Sequence, residues 1–279
     1  MKNSRSDLAM RSRTCAGFIL RCLCGLVSLL LLVSSCSEHQ GPSREEVQPH
    51  VGSTQAGEKR EKHPVRWTEH LKMENLGQIE ELLDKPVDMS ESRFKLYLTG
   101  PDKQRVLVTT GRQWFDLKCK GFYPYTTYDI TMEGWFKISC EPLLYLKKAA
   151  PARVSYVADF RLDKDPLKNL PPRLGPIVSG DTRDRVEEGV ARGMTWTDLF
   201  PETVVESAAP TKIDLRCADN TIGLSLIAWG DFNGDGLEDV LLFHAFNVIS
   251  GTLRCYKHVV LTRRSREDRL SVVPMDVYK

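Results

Sequence analysis

Residues 229–242 read WGDFNGDGLEDVLL. Four acids, three glycines and an asparagine are followed at once by an apolar run. Upstream, Ile222, Leu224, Leu226 and Ala228 alternate with other residues, as on one face of a strand. Downstream come DVLLFHAFNVIS, a Ser250-Gly251 turn and TLRCYKHVVLTR. The stretch therefore predicts two long antiparallel strands joined by an acidic loop, with a third strand after a two-residue turn. That turn sets a register: His244 faces Lys257, His258 faces Phe243 and Cys255 faces Phe246. His244 and His258 then point to opposite faces of the sheet, which argues against a shared metal or a catalytic pair.

Counting Asp231 as position 1, Asn233 is 3, Asp235 is 5, Gly236 is 6, Leu237 is 7 and Asp239 is 9. Side-chain oxygens at 1, 3 and 5, a carbonyl at 7 and a turning glycine at 6 are the donor pattern of a short calcium loop. Hard oxygen ligands in loose geometry suit Ca²⁺ better than Mg²⁺. It is not an EF-hand: position 12 is Leu242, where a bidentate glutamate is needed, and a strand follows instead of a helix. The pattern GDFNGDGLEDVLL resembles the calcium loop of FG-GAP (VCBS-type, integrin-like) repeats. That resemblance implies a structural Ca²⁺ held by the side chains of Asp231, Asn233, Asp235 and Asp239 and the carbonyl of Leu237, with Glu238 pointing outward. The likeness covers about 20 residues. One copy is present, with no self-similarity at a period of about 40–60 residues, so a complete β-propeller is not expected. With Trp196-Thr197-Asp198 and Leu261-Thr262-Arg263, the last hundred or so residues resemble small exported bacterial proteins carrying a single such motif.

Outside this hairpin, residues 164–181 hold Pro166, Pro171, Pro172, Pro176 and two glycines, which makes them the expected boundary between a 66–170 and a 171–279 (sub)domain. TRDRVEEGVARG (182–193) reads as a helix and MTWTDLFP as one more turn. NLGQIEELLDKP (75–86) puts Leu76, Ile79, Leu82 and Leu83 on one helical face, with Asn75 as N-cap and Pro86 as stop. The runs 93–99, 104–110, 112–119, 128–140 and 153–160 are rich in β-branched and aromatic residues and read as strands. The expected fold is α+β: mostly antiparallel β with a few short helices, two disulfides, and no complete propeller.

The N-terminus reads as a targeting segment. Residues 1–35 carry five cationic residues against Asp7, then the apolar stretch CLCGLVSLLLLVSS, too short for a bilayer span and suited to a signal peptide. Leu32-Val33-Ser34-Ser35-Cys36 resembles a bacterial lipobox, which implies a lipidated (palmitate-bearing) Cys36, a membrane anchor and, with Ser37 following, the outer membrane. Residues 36–65 lack large apolar side chains almost entirely and read as a disordered tether spanning roughly 30 Å. Export would also make disulfides available to the four remaining cysteines: Cys119–Cys140 and Cys217–Cys255 are the expected pairs, each bracketing a hairpin-like unit.

The formal charge of +2 is carried by the signal segment, leaving a near-neutral body. That argues against a nucleic-acid partner. No GxSxG, HExxH, Walker or dinucleotide motif is present, and no catalytic residue is assigned. In GFYPYTTY (121–128), Phe122, Tyr123, Tyr125 and Tyr128 are candidates for stacking on a glycan or a protein partner. The expected function is thus a binding or interaction module, exported and anchored through lipid, with its body in the periplasm or at the cell surface. A hydrolase of envelope glycan or peptide is the alternative.

Overall fold

The computed structural model describes residues 62–87 and 95–278. The expected signal segment, the expected lipidation site Cys36 and most of the expected tether lie outside them. The described residues belong to one compact unit, Ala56–Lys279, which contains both expected halves, 66–170 and 171–279.

In chain order the elements are β1 (Arg66–Trp67), α1 (Ile79–Asp84), β2 (Leu96–Thr99), β3 (Arg105–Val108), α2 (Gly111–Cys119), α3 (Thr127–Lys148), α4 (Pro166–Asn169), α5 (Gly180–Ala191), α6 (Trp196–Leu199), β4 (Thr203–Ala209), β5 (Lys212–Cys217), β6 (Asn220–Gly230), β7 (Asp239–Val248), β8 (Arg254–Thr262) and β9 (Ser271–Val273). The fold is α+β with antiparallel strands and no closed barrel among the described residues. The central sheet runs β4-β5-β6-β7-β8-β9, with β1 added against the far end of β6; β2 and β3 form a separate hairpin.

Period-2 alternation along β7 builds a core on each face. Val240, Leu242 and Phe246 join Trp196, Phe200, Val186 and Leu174 on one side. Leu241 and Phe243 join Phe136, Leu143, Leu146 and Trp114 on the other. The sheet is thus buried between the α4–α6 segment and the α1–α3 layer, and this explains why its central strands carry apolar residues at successive positions. The register expected from Ser250-Gly251 is the one present: Phe243 pairs with His258, His244 with Lys257 and Phe246 with Cys255.

Three of the runs expected to be strands are not. Residues 112–119 lie in α2 and 128–140 in α3, a helix of 22 residues, so the helices are not all short. Both helices start on side-chain caps. Thr110 accepts from Gln113 N, and Thr126 forms a capping box with Asp129. Residues 153–160 form no strand either. They follow the acidic loop, with Arg153 N and Val154 N donating to Gly236 O and Glu238 N donating to Val154 O.

The two expected disulfides are absent: Cys119, Cys140, Cys217 and Cys255 are all free thiols. Geometry explains it. Cys217 is on β5 and Cys255 on β8, with β6 and β7 between them, so about three strand spacings, roughly 14 Å, separate them. Cys140 Sγ packs under Gly111, at one end of α2, whereas Cys119 is at the other end, about 12 Å along the axis. A disulfide needs its Cα atoms within about 7 Å.

Candidate calcium loop and its surroundings

The acidic loop hangs between the ends of β6 and β7, where Gly230 pairs with Asp239. Its side chains wind the backbone around themselves. Asp231 Oδ1 accepts from Gly234 N at 2.6 Å and Oδ2 from Gly236 N at 2.8 Å. Asn233 Oδ1 accepts from Asp235 N at 2.9 Å, and Asp235 Oδ1 from Leu237 N at 2.8 Å. These nested turns require left-handed backbone at Gly234 and Gly236, with φ of +81° and +84°. Leu237 pairs with Val154 in a parallel bridge, which holds the loop to the body.

Asp239 is the most deeply buried of the loop's acids, with no solvent exposure. Its Oδ2 accepts from Phe232 N at 3.2 Å, but its Oδ1 has no hydrogen-bond partner. Burial first, and then the carboxylates of Asp235 and Asp231, push its pKa up to about 6; the neighbouring Thr262 hydroxyl and Phe232 N pull the other way. Thr262 Oγ1 nevertheless makes no well-formed hydrogen bond of its own. A lone buried carboxylate oxygen beside two further carboxylates is the environment a hard cation relieves. The donor set, three aspartates, an asparagine amide oxygen and a backbone carbonyl, fits Ca²⁺ in kind. In the present arrangement the carboxylates serve the loop's own amides, and among the described residues no three Asp, Glu, His or Cys side chains form a group fit to hold a metal. Each carboxylate oxygen keeps a second lone pair beyond the amide it accepts from.

Glu238 corrects the expectation that it points outward. It is buried, accepting from Ser155 Oγ at 2.5 Å and from Arg66 Nε and Nη2 at 3.4 Å. Arg66 itself lies 4.1 Å over the Trp229 ring. The loop is therefore tied through Glu238 to β1 and to the 153–157 segment.

The two histidines occupy opposite faces, as their register requires. His244 Nε2 donates to Leu174 O at 2.9 Å, and burial with the nearby Lys257 charge lowers its pKa to about 4, so it is neutral. His258 Nδ1 lies 2.7 Å from Glu141 Oε2, whose Oε1 accepts from Tyr278 OH at 2.7 Å. Burial disfavours the Glu141 charge, but His258 and Tyr278 outweigh it and hold the carboxyl below its usual range. This triad is enclosed by Tyr145, Phe243 and Trp114. Sequence reading missed it because Glu141 is more than a hundred residues from both of its partners.

Of the aromatic candidates, Phe122 is buried against Gly100 and so is withheld from any partner. Tyr123, Tyr125 and Tyr128 are exposed, the first two with ring centroids 6.4 Å apart. Trp135, 54% exposed, lies on the same face of α3 as Tyr128, two turns further along. Its signal was a helical period in a run that read as a strand. The chain matches no protein-family model, no curated protein and no solved structure. Among the described residues no helix is long and apolar enough to cross a membrane.

Proposed function

We propose that the chain is an exported, lipid-anchored envelope protein that works as a binding module, with a structural Ca²⁺ clamping the β6–β7 hairpin. The observation that carries the calcium reading is the lone buried Oδ1 of Asp239 inside a loop of nested aspartate and asparagine turns. Asp231, Asn233, Asp235 and Asp239 would supply side-chain oxygens and Leu237 a carbonyl. The ion would neutralise carboxylates that otherwise repel one another; its ligands come from the protein, which suits holding a fold more than activating water. The lipid anchor at Cys36 and the outer membrane rest on the lipobox resemblance, and the tether would give the body its reach. Exposed Tyr123, Tyr125, Tyr128 and Trp135 offer rings to a glycan or protein partner.

The test is a thermal melt of the full chain with EDTA and with excess Ca²⁺, beside Asp235→Ala. At a hundredfold excess over Kd a native-state ligand adds about 2.7 kcal/mol. The expected result is a Ca²⁺-dependent rise in Tm that Asp235→Ala abolishes. An identical Tm with and without Ca²⁺ removes the calcium reading. Palmitate labelling lost in Cys36→Ser tests the anchor separately.

A further inference from the structure

A second site lies beside the loop without sharing its ligands. Residues 155–165 leave the loop-bound segment and line a cavity of about 630 Å³, open to solvent, whose lining also includes Arg263 and Arg266 just beyond β8. That volume suits a small organic molecule. This stretch is fixed at several points along its length. Ser155 Oγ donates to Glu238, Val157 and Leu162 are buried, and Leu162 N donates to Pro210 O.

The charges on this cavity are unevenly satisfied. Arg161 is neutralised by Asp163 through two hydrogen bonds of 2.9 and 2.7 Å. Lys164, Arg263 and Arg266 make no ion pair with any described residue, although Asp159 and Asp165 line the same wall. Arg263 Nε is moreover shielded from solvent and has no hydrogen-bond partner. Buried donors are almost always met by an acceptor. A guanidinium offers paired N–H donors from which a phosphate or a carboxylate accepts, and two guanidinium-bearing side chains, Arg263 and Arg266, line this cavity. Tyr156 and Phe160, half-buried in the same wall, offer apolar surface to the rest of such a molecule.

We propose that this cavity binds a small organic oxyanion, its phosphate or carboxylate group held by Arg263 and Arg266 with Lys164 at the rim, and its carbon body against Tyr156 and Phe160. The proposal does not depend on the calcium reading, since none of these residues is a loop ligand.

The experiment is calorimetric titration of the full chain, at constant Ca²⁺, with two aromatic dianions that differ in their oxyanion: phenyl phosphate and phthalate. Phenol serves as the neutral control. Saturable binding of one dianion per chain is expected, with phenol inert, and the stronger of the two identifies phosphate or carboxylate as the group recognised. Arg263→Gln with Arg266→Gln is expected to weaken that binding at least about tenfold, while Arg192→Gln, at an exposed helix pair, leaves it unchanged. An unchanged Tm in the double variant establishes that it is folded. Should its Tm fall, Lys164→Gln takes its place, with a smaller loss expected. Absence of saturable binding by either dianion, equal binding of phenol, or wild-type affinity in the folded variants would overturn the proposal.

Discussion

Gly234 and Gly236 share nearly one backbone conformation, φ +81° and +84°, but not one environment. A Cβ at Gly234 meets nothing within 4 Å, whereas one at Gly236 falls 2.5 Å from Arg153 Nε and Nη2. Gly234→Ala should therefore cost only the left-handed strain, about 1–2 kcal/mol. Gly236→Ala should cost that and the displacement of the Arg153 side chain as well. Urea unfolding of both variants checks the order, and equal losses would contradict it. At this scale the sequence was most legible. The turns at Asp231, Asn233 and Asp235 are each decided within two to five residues, so spacing alone could show them. Glu238 was not legible, because Arg66, which turns it inward, is 172 residues away.

Among the elements, α3 ties distant parts of the chain together. Its Glu141 joins His258 of β8 and Tyr278 of the C-terminal segment, whose ring also packs on Trp114 and Phe115 of α2. Glu141→Gln should destabilise the fold by about 3–5 kcal/mol, the usual loss when one partner of a buried pair is removed. Tyr278→Phe, which deletes one hydroxyl, should cost about 1–2 kcal/mol. Chemical denaturation of the two variants measures this, and a larger loss from Tyr278→Phe would reverse the account of which contact matters. The same helix shows how a helical run can read as a strand. YDITMEGWFKISC has the composition of a strand, but tertiary packing of Met132, Phe136 and Cys140 at helical spacing overrides propensity. The Thr126-x-x-Asp129 capping box was the local sign of it. The β6–β7–β8 meander was readable because its alternation and its Ser250-Gly251 turn agree on one register.

At the scale of the whole molecule, pH and thiol chemistry report on the packing between layers. His244 has its pKa lowered from 6.5 to about 4, so the folded state holds it neutral. The unfolded chain takes up that proton first, and the stability it contributes, full above pH 6.5, is lost as pH falls from 6.5 towards about 4. Glu141, held below its ordinary 4.5, adds a further loss below that value. Urea midpoints should fall from pH 7 to about pH 5, and His244→Gln, which keeps a donor for Leu174 O, should flatten that part of the profile; an unflattened profile would place the titration elsewhere. Thiols offer an independent check. Cys119 and Cys255 are exposed and should alkylate in the native protein. Cys217 is buried, and Cys140 is buried with its pKa pushed up to about 12, so both should react only after unfolding. Protection of Cys255 by a disulfide would contradict the strand order.

Whether Ca²⁺ clamps the β6–β7 hairpin, as proposed, can be read by amide hydrogen exchange. With Ca²⁺ present, peptides covering 229–242 should exchange more slowly than with EDTA, and the 153–157 segment bonded to Gly236 and Glu238 should slow with them. Identical exchange at 229–242 under both conditions would mean that the nested turns hold themselves and that calcium has no part in the fold.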